Sequence, residues 1–132
     1  MNKNFLYTLL DSMSVSGHEI PLQKKVIEEM TPYCDEILTD YTGNVTSVLN
    51  KDAKFKVMLS GHIDEIGLII TQIEANGLIK VSSAGGIYPT VYPGQKVVIY
   101  SKEEILYGVV ICTRSLTKGE VSVKDLTIDI GA

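Results

Sequence analysis

Residues 55–67 read F-K-V-M-L-S-G-H-I-D-E-I-G, and the rest of the sequence is organised around this stretch. Its apolar run, residues 57–59, is too short for a helix and is bounded by polar residues, which is typical of a strand buried on both faces. His62, Asp64 and Glu65 follow directly after it. In open α/β sheets, ligand sites form at the ends of such strands. The stretch therefore predicts a site at the tip of a buried strand.

Composition indicates a globular protein and argues against several classes of partner. The 132 residues, 45% hydrophobic and 21% charged, fit one ordinary domain or parts of two smaller ones. A net charge of −4 and a single basic doublet, Lys24-Lys25, argue against nucleic acid as a partner. The apolar runs are too short to span a bilayer, and the start does not read as a signal peptide. We therefore expect a cytoplasmic protein without a membrane partner, with Cys34 and Cys112 buried and reduced.

The first third of the sequence predicts two helices. The first would carry one apolar stripe, formed by Phe5, Leu6, Leu9, Leu10 and Met13. We expect the second to begin near Glu19 or Ile20, with Pro21 at its first helical position. Pro32 should end it, because a proline disfavours helical geometry in the residue before it.

The remainder predicts strands. Residues 36–39 and 44–50 flank a turn cluster and precede the buried run, so residues 1–66 suit one edge of an α/β layer. After residue 67, Asn76-Gly77 is a strong hairpin signal. The strands predicted in this part, which together suggest a small barrel or sandwich, are residues 68–73, 78–81, 95–100, 105–112, 121–123 and 126–130. Residues 126–132 form an apolar strand without a polar cap, so we expect a further segment after Ala132.

His62 and Asp64 are two positions apart, so in extended geometry their side chains leave the backbone on the same side. His62 could bind a metal ion through one ring nitrogen while Asp64 orients the ring through the other. This spacing equally allows a loop histidine that is hydrogen-bonded to an aspartate without any metal. Glu65 would point away from the pair and is interpreted as structural or as a residue that supports the site without binding the metal. His18 is interpreted as a solvated or capping residue.

A longer pattern gives this spacing its specificity. The segment V-M-L-S-G-H-I-D-E-I-G-L-I-I, residues 57–70, resembles the signature of the dinuclear metal aminopeptidases called tetrahedral, glutamyl or deblocking aminopeptidases. Some relatives of that family are labelled endoglucanases. Further stretches resemble the family in the same order along the chain: residues 15–19, 39–44, 85–86, 91–97 and 128–132.

The resemblance implies a fold and a division of the chain. Its members have an α/β metallopeptidase domain of the phosphorylase/hydrolase-like class, interrupted by an inserted all-β, barrel-like dimerisation domain. Residues 1–66 would be the N-terminal part of the catalytic domain. Residues 67–132 would begin the dimerisation domain, which would be incomplete at its C-terminus. Family members form dimers that often assemble into a hollow dodecamer, so a homo-oligomer is expected.

The resemblance also implies a chemistry. Two divalent ions, zinc or cobalt, would activate a water molecule that attacks the peptide bond beside a free amino terminus. His62 would be a metal ligand and Asp64 the catalytic carboxylate that orients it. The other ligands and the general base belong to the family's later half, so we expect this chain alone to be inactive on peptide substrates.

Two alternatives to an enzyme stay open at this point. One is a non-catalytic assembly or regulatory module built on the dimerisation barrel, and the other is an unrelated small β domain that binds peptide or carbohydrate. An endoglucanase has little support, because glycosidases need two carboxylates flanking a cleft and the chain has no Trp. An apolar-aromatic patch either forms an interface or fills the barrel; it comprises Tyr88, Val91, Tyr92 and Pro93.

Overall fold

The structure is a computed structural model that describes residues 3–114 and 119–131. The chain divides into two compact units, Met1–Glu65 and Ile66–Ala132. We call these the helical unit and the sheet unit and describe each by itself. The assignment of residues 1–66 to a catalytic domain and of residues 67–132 to a dimerisation domain stays a prediction.

The helical unit begins with α1, Lys3–Leu10. The predicted apolar stripe is wrong at its end, because Leu10 is largely exposed and Met13 lies beyond the helix. The Ser12 hydroxyl donates a hydrogen bond to the carbonyl of Thr8. Such a side-chain contact to the backbone competes with continued helix formation.

In the part of the chain that the structure describes, no helix is long and apolar enough to cross a membrane.

The second helix, α2, spans Ile20–Met30 and follows the prediction closely. Pro21 lies in its first turn, where the missing backbone N–H costs no helical hydrogen bond. Leu22 is the buried anchor of this helix. A short 3₁₀ turn, Thr31–Tyr33, contains Pro32 and ends the helical segment, as expected.

Two antiparallel strands, β1 (Glu36–Thr39) and β2 (Val45–Val48), form a hairpin in register Glu36↔Val48 to Thr39↔Val45. Its turn is organised by Asp40, whose carboxylate accepts hydrogen bonds from the backbone and side chains of Thr42 and Asn44. These contacts, the Asn44 side chain first, lower the pKa of Asp40 to about 2. The α/β arrangement of this unit stays a prediction, since the strands described in it form only this hairpin.

The predicted strand at residues 57–59 is wrong for the described chain. No strand pairing involves these residues, and Val57, Met58 and Leu59 are 72%, 84% and 93% exposed. A strand needs a hydrogen-bonded neighbour at one edge at least, and burial on both faces also needs elements packed above and below the sheet. Within residues 3–114 and 119–131, no strand occupies either side of this segment.

The sheet unit contains one antiparallel sheet with strand order β3-β4-β7-β6-β5. Its strands are β3 Gly67–Ile73, β4 Ile79–Ala84, β5 Lys96–Tyr100, β6 Ile105–Cys112 and β7 Leu126–Asp129. The strand predicted at residues 121–123 is wrong. Ser122 and Asp125 form a capping box around a 3₁₀ turn there, because their side chains bind the local backbone instead of a neighbouring strand.

The hairpin predicted at Asn76-Gly77 is confirmed, with a longer loop than the two-residue turn. Among the residues of this loop only Gly77 has a positive φ, +84°, and Glu74 N donates to Leu78 O at 2.9 Å to close the loop. The Asn76 side-chain oxygen accepts a hydrogen bond from Leu78 N. A loop of this length needs one residue in the left-handed region, which glycine provides at little cost.

One face of the sheet forms the core and the other carries exposed apolar side chains. The core residues are Ile79, Val81, Ile99, Val110, Val121, Leu126 and Ile128. We define the outer face of β5–β6 by the cross-strand pairs Val98↔Tyr107 and Tyr100↔Ile105, all of which are exposed. Within the apolar-aromatic patch, Tyr92 packs against the core, whereas Tyr88 and Val91 are exposed, and an interface role for these two stays a prediction.

Candidate metal-ligand site

His62 and Asp64 lie in an unpaired segment that is held at its C-terminal end. Glu65 forms a parallel bridge with Val15, which lies in the turn between α1 and α2. Glu65 N donates to Ser14 O at 2.9 Å, and Ser16 N donates to Glu65 O at 3.3 Å. The interhelical turn therefore fixes the backbone immediately after Asp64.

The two predicted site residues are in direct contact. His62 Nδ1 lies 3.0 Å from Asp64 Oδ1 and 3.1 Å from the Asp64 carbonyl oxygen. A carbonyl oxygen and an ionised carboxylate can only accept hydrogen bonds, so Nδ1 carries the proton. In a neutral ring with this tautomer the other nitrogen, Nε2, has a free lone pair, and the His62 side chain is 85% exposed. The pair can therefore present an unprotonated imidazole nitrogen to solvent whenever the ring is neutral.

Asp64 has a second partner that sequence reasoning missed. The Ser16 hydroxyl donates to Asp64 Oδ2, the carboxylate oxygen that does not contact His62. The hydrogen bond from Ser16, and after it that from His62, holds the pKa of Asp64 below its usual value. Ser16 and Asp64 are 48 positions apart, so no local spacing could have revealed this contact. The only sequence signal was the likeness of residues 15–19 to a family turn.

Glu65 and His18 make other contacts. Glu65 Oε1 lies 3.4 Å from Ser14 N, which is a contact to the interhelical turn. His18 is exposed, and its backbone N–H donates to Val15 O at 2.8 Å within the same turn. These contacts fit the structural interpretation of Glu65 and the solvated interpretation of His18.

The residues that the structure describes contain no group of three or more His, Cys, Asp or Glu side chains able to hold a metal ion. His62 nevertheless suits a divalent transition metal, because its neutral form offers Nε2 as a ligand while a carboxylate contacts Nδ1. The donor chemistry therefore fits one ligand of a metal centre.

The family of the chain follows from residues 43–132, which match the model of the M42 glutamyl aminopeptidases. The chain belongs to the M42 glutamyl aminopeptidase family. The family resemblance predicted from sequence is thereby confirmed. The match includes His62, Asp64 and the whole sheet unit, whereas Ser16 precedes it. M42 aminopeptidases are metal-dependent, and the reaction of the family is the hydrolysis of peptides at the amino terminus.

Similar proteins agree with the M42 assignment. The chain is 29% identical to the lysyl aminopeptidase of Pyrococcus furiosus, and the match covers 94% of this chain and 38% of that protein. A TET aminopeptidase from a marine-sediment thaumarchaeon superposes with a TM-score of 0.91 at 29% identity, covering 98% of this chain and 38% of that one. The TET1 peptidase of Pyrococcus horikoshii gives 0.82 at 30% identity, covering 96% and 39%. The chain thus spans under two fifths of these relatives.

Proposed function

We propose that this chain supplies the N-terminal part of a metal-dependent aminopeptidase that removes residues from the amino termini of peptides. The observation that carries the proposal is the His62–Asp64 pair, whose Nε2 is open to solvent and which lies within the segment matched to the M42 family. In this proposal His62 is one ligand of a dinuclear zinc or cobalt site. Asp64 is the carboxylate that orients it.

The contributions of the two side chains follow from their hydrogen bonds. Asp64 accepts a hydrogen bond from the Nδ1–H of His62, which fixes the ring and makes Nε2 a better electron donor. When bound, the metal ions would supply an activated water and polarise the peptide carbonyl. A catalytic zinc typically has about three protein ligands. Since the described residues supply one candidate, we propose that the chain by itself does not hydrolyse peptides.

We also propose that the working protein is a homo-oligomer assembled through the sheet unit. The exposed apolar outer face of β5–β6 supports this, because large exposed apolar patches mark interaction sites. The Pyrococcus horikoshii relative is described as assembling into a tetrahedron or a large octahedral shell. The same face would serve the alternative role, a non-catalytic assembly module. Cys34 and Cys112 are free and half-buried, rather than buried as expected, and unpaired cysteines suit the proposed cytoplasmic location.

A chimaera tests the catalytic proposal. This chain would replace the matching first part of the Pyrococcus furiosus lysyl aminopeptidase, and metal content and release of N-terminal lysine would be measured after loading with cobalt or zinc. We expect His62→Ala to lose bound metal and at least about 100-fold of activity, whereas His18→Ala, the matched control, keeps both. Equal metal content and activity in the two variants would contradict the proposal.

A second measurement separates the enzyme from the assembly module. The 132-residue chain alone should release no amino acid from an aminoacyl substrate, with or without added cobalt. Turnover by the isolated chain that disappears in His62→Ala would show that the proposed inactivity is wrong. A chimaera that folds and assembles but neither binds metal nor turns over would favour the module.

A further inference from the structure

The Ser16 hydroxyl and His62 Nδ1 divide the two oxygens of the Asp64 carboxylate between them. Ser16 donates to Oδ2, and Nδ1 lies 3.0 Å from Oδ1. The terminal torsion of an aspartate is broad, so a carboxylate held at one oxygen can rotate about it. A donor at each oxygen fixes the plane of the group. Ser16 thus constrains the direction in which Oδ1 of Asp64 faces the imidazole of His62.

The position of Ser16 is itself set by the backbone. Hydrogen bonds link Ser14 O to Glu65 N and Ser16 N to Glu65 O, so the turn and the segment after Asp64 are joined on both sides of the bridge. Ser16 is half-buried, so its hydroxyl is less free to exchange with water than one on an open surface. The hydrogen bond between Ser16 and Asp64 therefore lies next to a hydrogen-bonded bridge between the turn and residue 65.

We propose that Ser16 is a positioning residue that acts on the metal-ligand histidine through Asp64. Its hydroxyl holds the carboxylate so that Oδ1 keeps the proton on Nδ1 of His62 and leaves Nε2 free for a divalent cation. This inference rests on the proposed function for the role of the cation. The arrangement of Ser16, Asp64 and His62 can be tested without any metal.

The tautomer of His62 is the direct readout. We would label the full chain with ¹⁵N in a His18→Ala background, which leaves a single imidazole, and record long-range ¹H–¹⁵N spectra near pH 8.5, where an ordinary imidazole is neutral. The parent protein should show mainly the Nδ1-protonated form. The Asp64 carbonyl oxygen still lies 3.1 Å from Nδ1, so loss of Ser16 should shift the population only partly.

Two substitutions of equal shape isolate the hydroxyl. Ser16→Thr keeps the donor and should retain the tautomer ratio of the parent, whereas Ser16→Val removes the donor and should increase the Nε2-protonated form severalfold. Ser14→Ala is the matched control, because Ser14 lies in the same turn and is more deeply buried. An unchanged ratio in Ser16→Val would overturn the inference, as would an equal shift in Ser14→Ala.

Zinc separates this inference from the proposed function. Adding Zn²⁺ alone to the same samples should move the Nε2 resonance of the parent at a concentration about tenfold lower than in Ser16→Val. A tautomer shift in Ser16→Val without any zinc effect on the parent would support the positioning role of Ser16 and overturn the ligand role of His62. Equal zinc affinities in the parent and Ser16→Val would overturn the effect of Ser16 on the ligand.

Discussion

Replacing Gly17 by alanine should loosen the turn that carries Ser16. Gly17 has a backbone φ of +89°, a conformation that residues other than glycine rarely adopt. An added Cβ would meet no atom within 4 Å, so steric clash does not contribute to the effect. The remaining cost is that of placing an L-residue in the left-handed region, about 1–2 kcal/mol.

That cost should appear at the bridge between the turn and residue 65. Glu65 N donates to Ser14 O at 2.9 Å. The amide hydrogen of Glu65 can therefore exchange with solvent deuterium only when the bridge opens. A penalty of one or two kcal/mol makes the open form about 5–30 times more populated. Native-state hydrogen exchange of Gly17→Ala, read residue by residue by NMR, should show this acceleration at the Glu65 amide.

Gly61→Ala is the matched control for Gly17→Ala. Gly61 also has no atom within 4 Å of an added Cβ, but its φ lies outside the left-handed region. Such a substitution typically stabilises a protein by about 0.4–1 kcal/mol through the unfolded chain. The exchange of the Glu65 amide should therefore stay unchanged or become slower. Equal acceleration in both variants, or none in Gly17→Ala, would refute the reasoning.

Two further predictions concern the sheet and the first hairpin. Gly108→Ala should lower the free energy of unfolding, measured in urea, by about 1–3 kcal/mol, because its Cβ would lie 2.5 Å from Ile128 Cγ2 and 3.0 Å from the backbone oxygen of Asp129. The control Gly86→Ala should change it little, since no atom lies within 4 Å of its added Cβ. Asp40 has a folded pKa of about 2, below the usual 3.8, so its stabilisation of the hairpin should be complete above pH 3.8 and lost as the pH falls through about 2. A carboxyl ¹³C titration midpoint near 3.8 would contradict this.

Local signals predicted much of the fold. The strands Glu36–Thr39 and Ile105–Cys112 have the predicted bounds, and α2 begins at Ile20 because Pro21 suits the first turn of a helix. The exposure of residues 57–59 could not be predicted, because an apolar pattern indicates burial but does not identify the elements that would cover the segment. The capping box at Ser122 is a local contact that overrides the strand preference of residues 121–123.

The candidate site was predictable only in part. The two-residue spacing of His62 and Asp64 predicted their contact, and the structure brings their side chains together. Ser16 could not be found in the same way, since its contact with Asp64 depends on a bridge between distant parts of the chain. Spacing in sequence predicts contacts between neighbours along one extended segment, whereas the second partner of a carboxylate depends on tertiary structure.

The central claim is that His62 binds a divalent metal through Nε2, and a zinc titration of the ¹⁵N-labelled chain tests it most directly. We predict that the Nε2 resonance of His62 moves with added Zn²⁺ while Nδ1 stays protonated, since Nδ1 is occupied by Asp64. His18, the other histidine of the chain, is the internal reference and should respond only at higher zinc concentrations. Equal responses of both histidines, or metal binding at Nδ1 of His62, would contradict the claim.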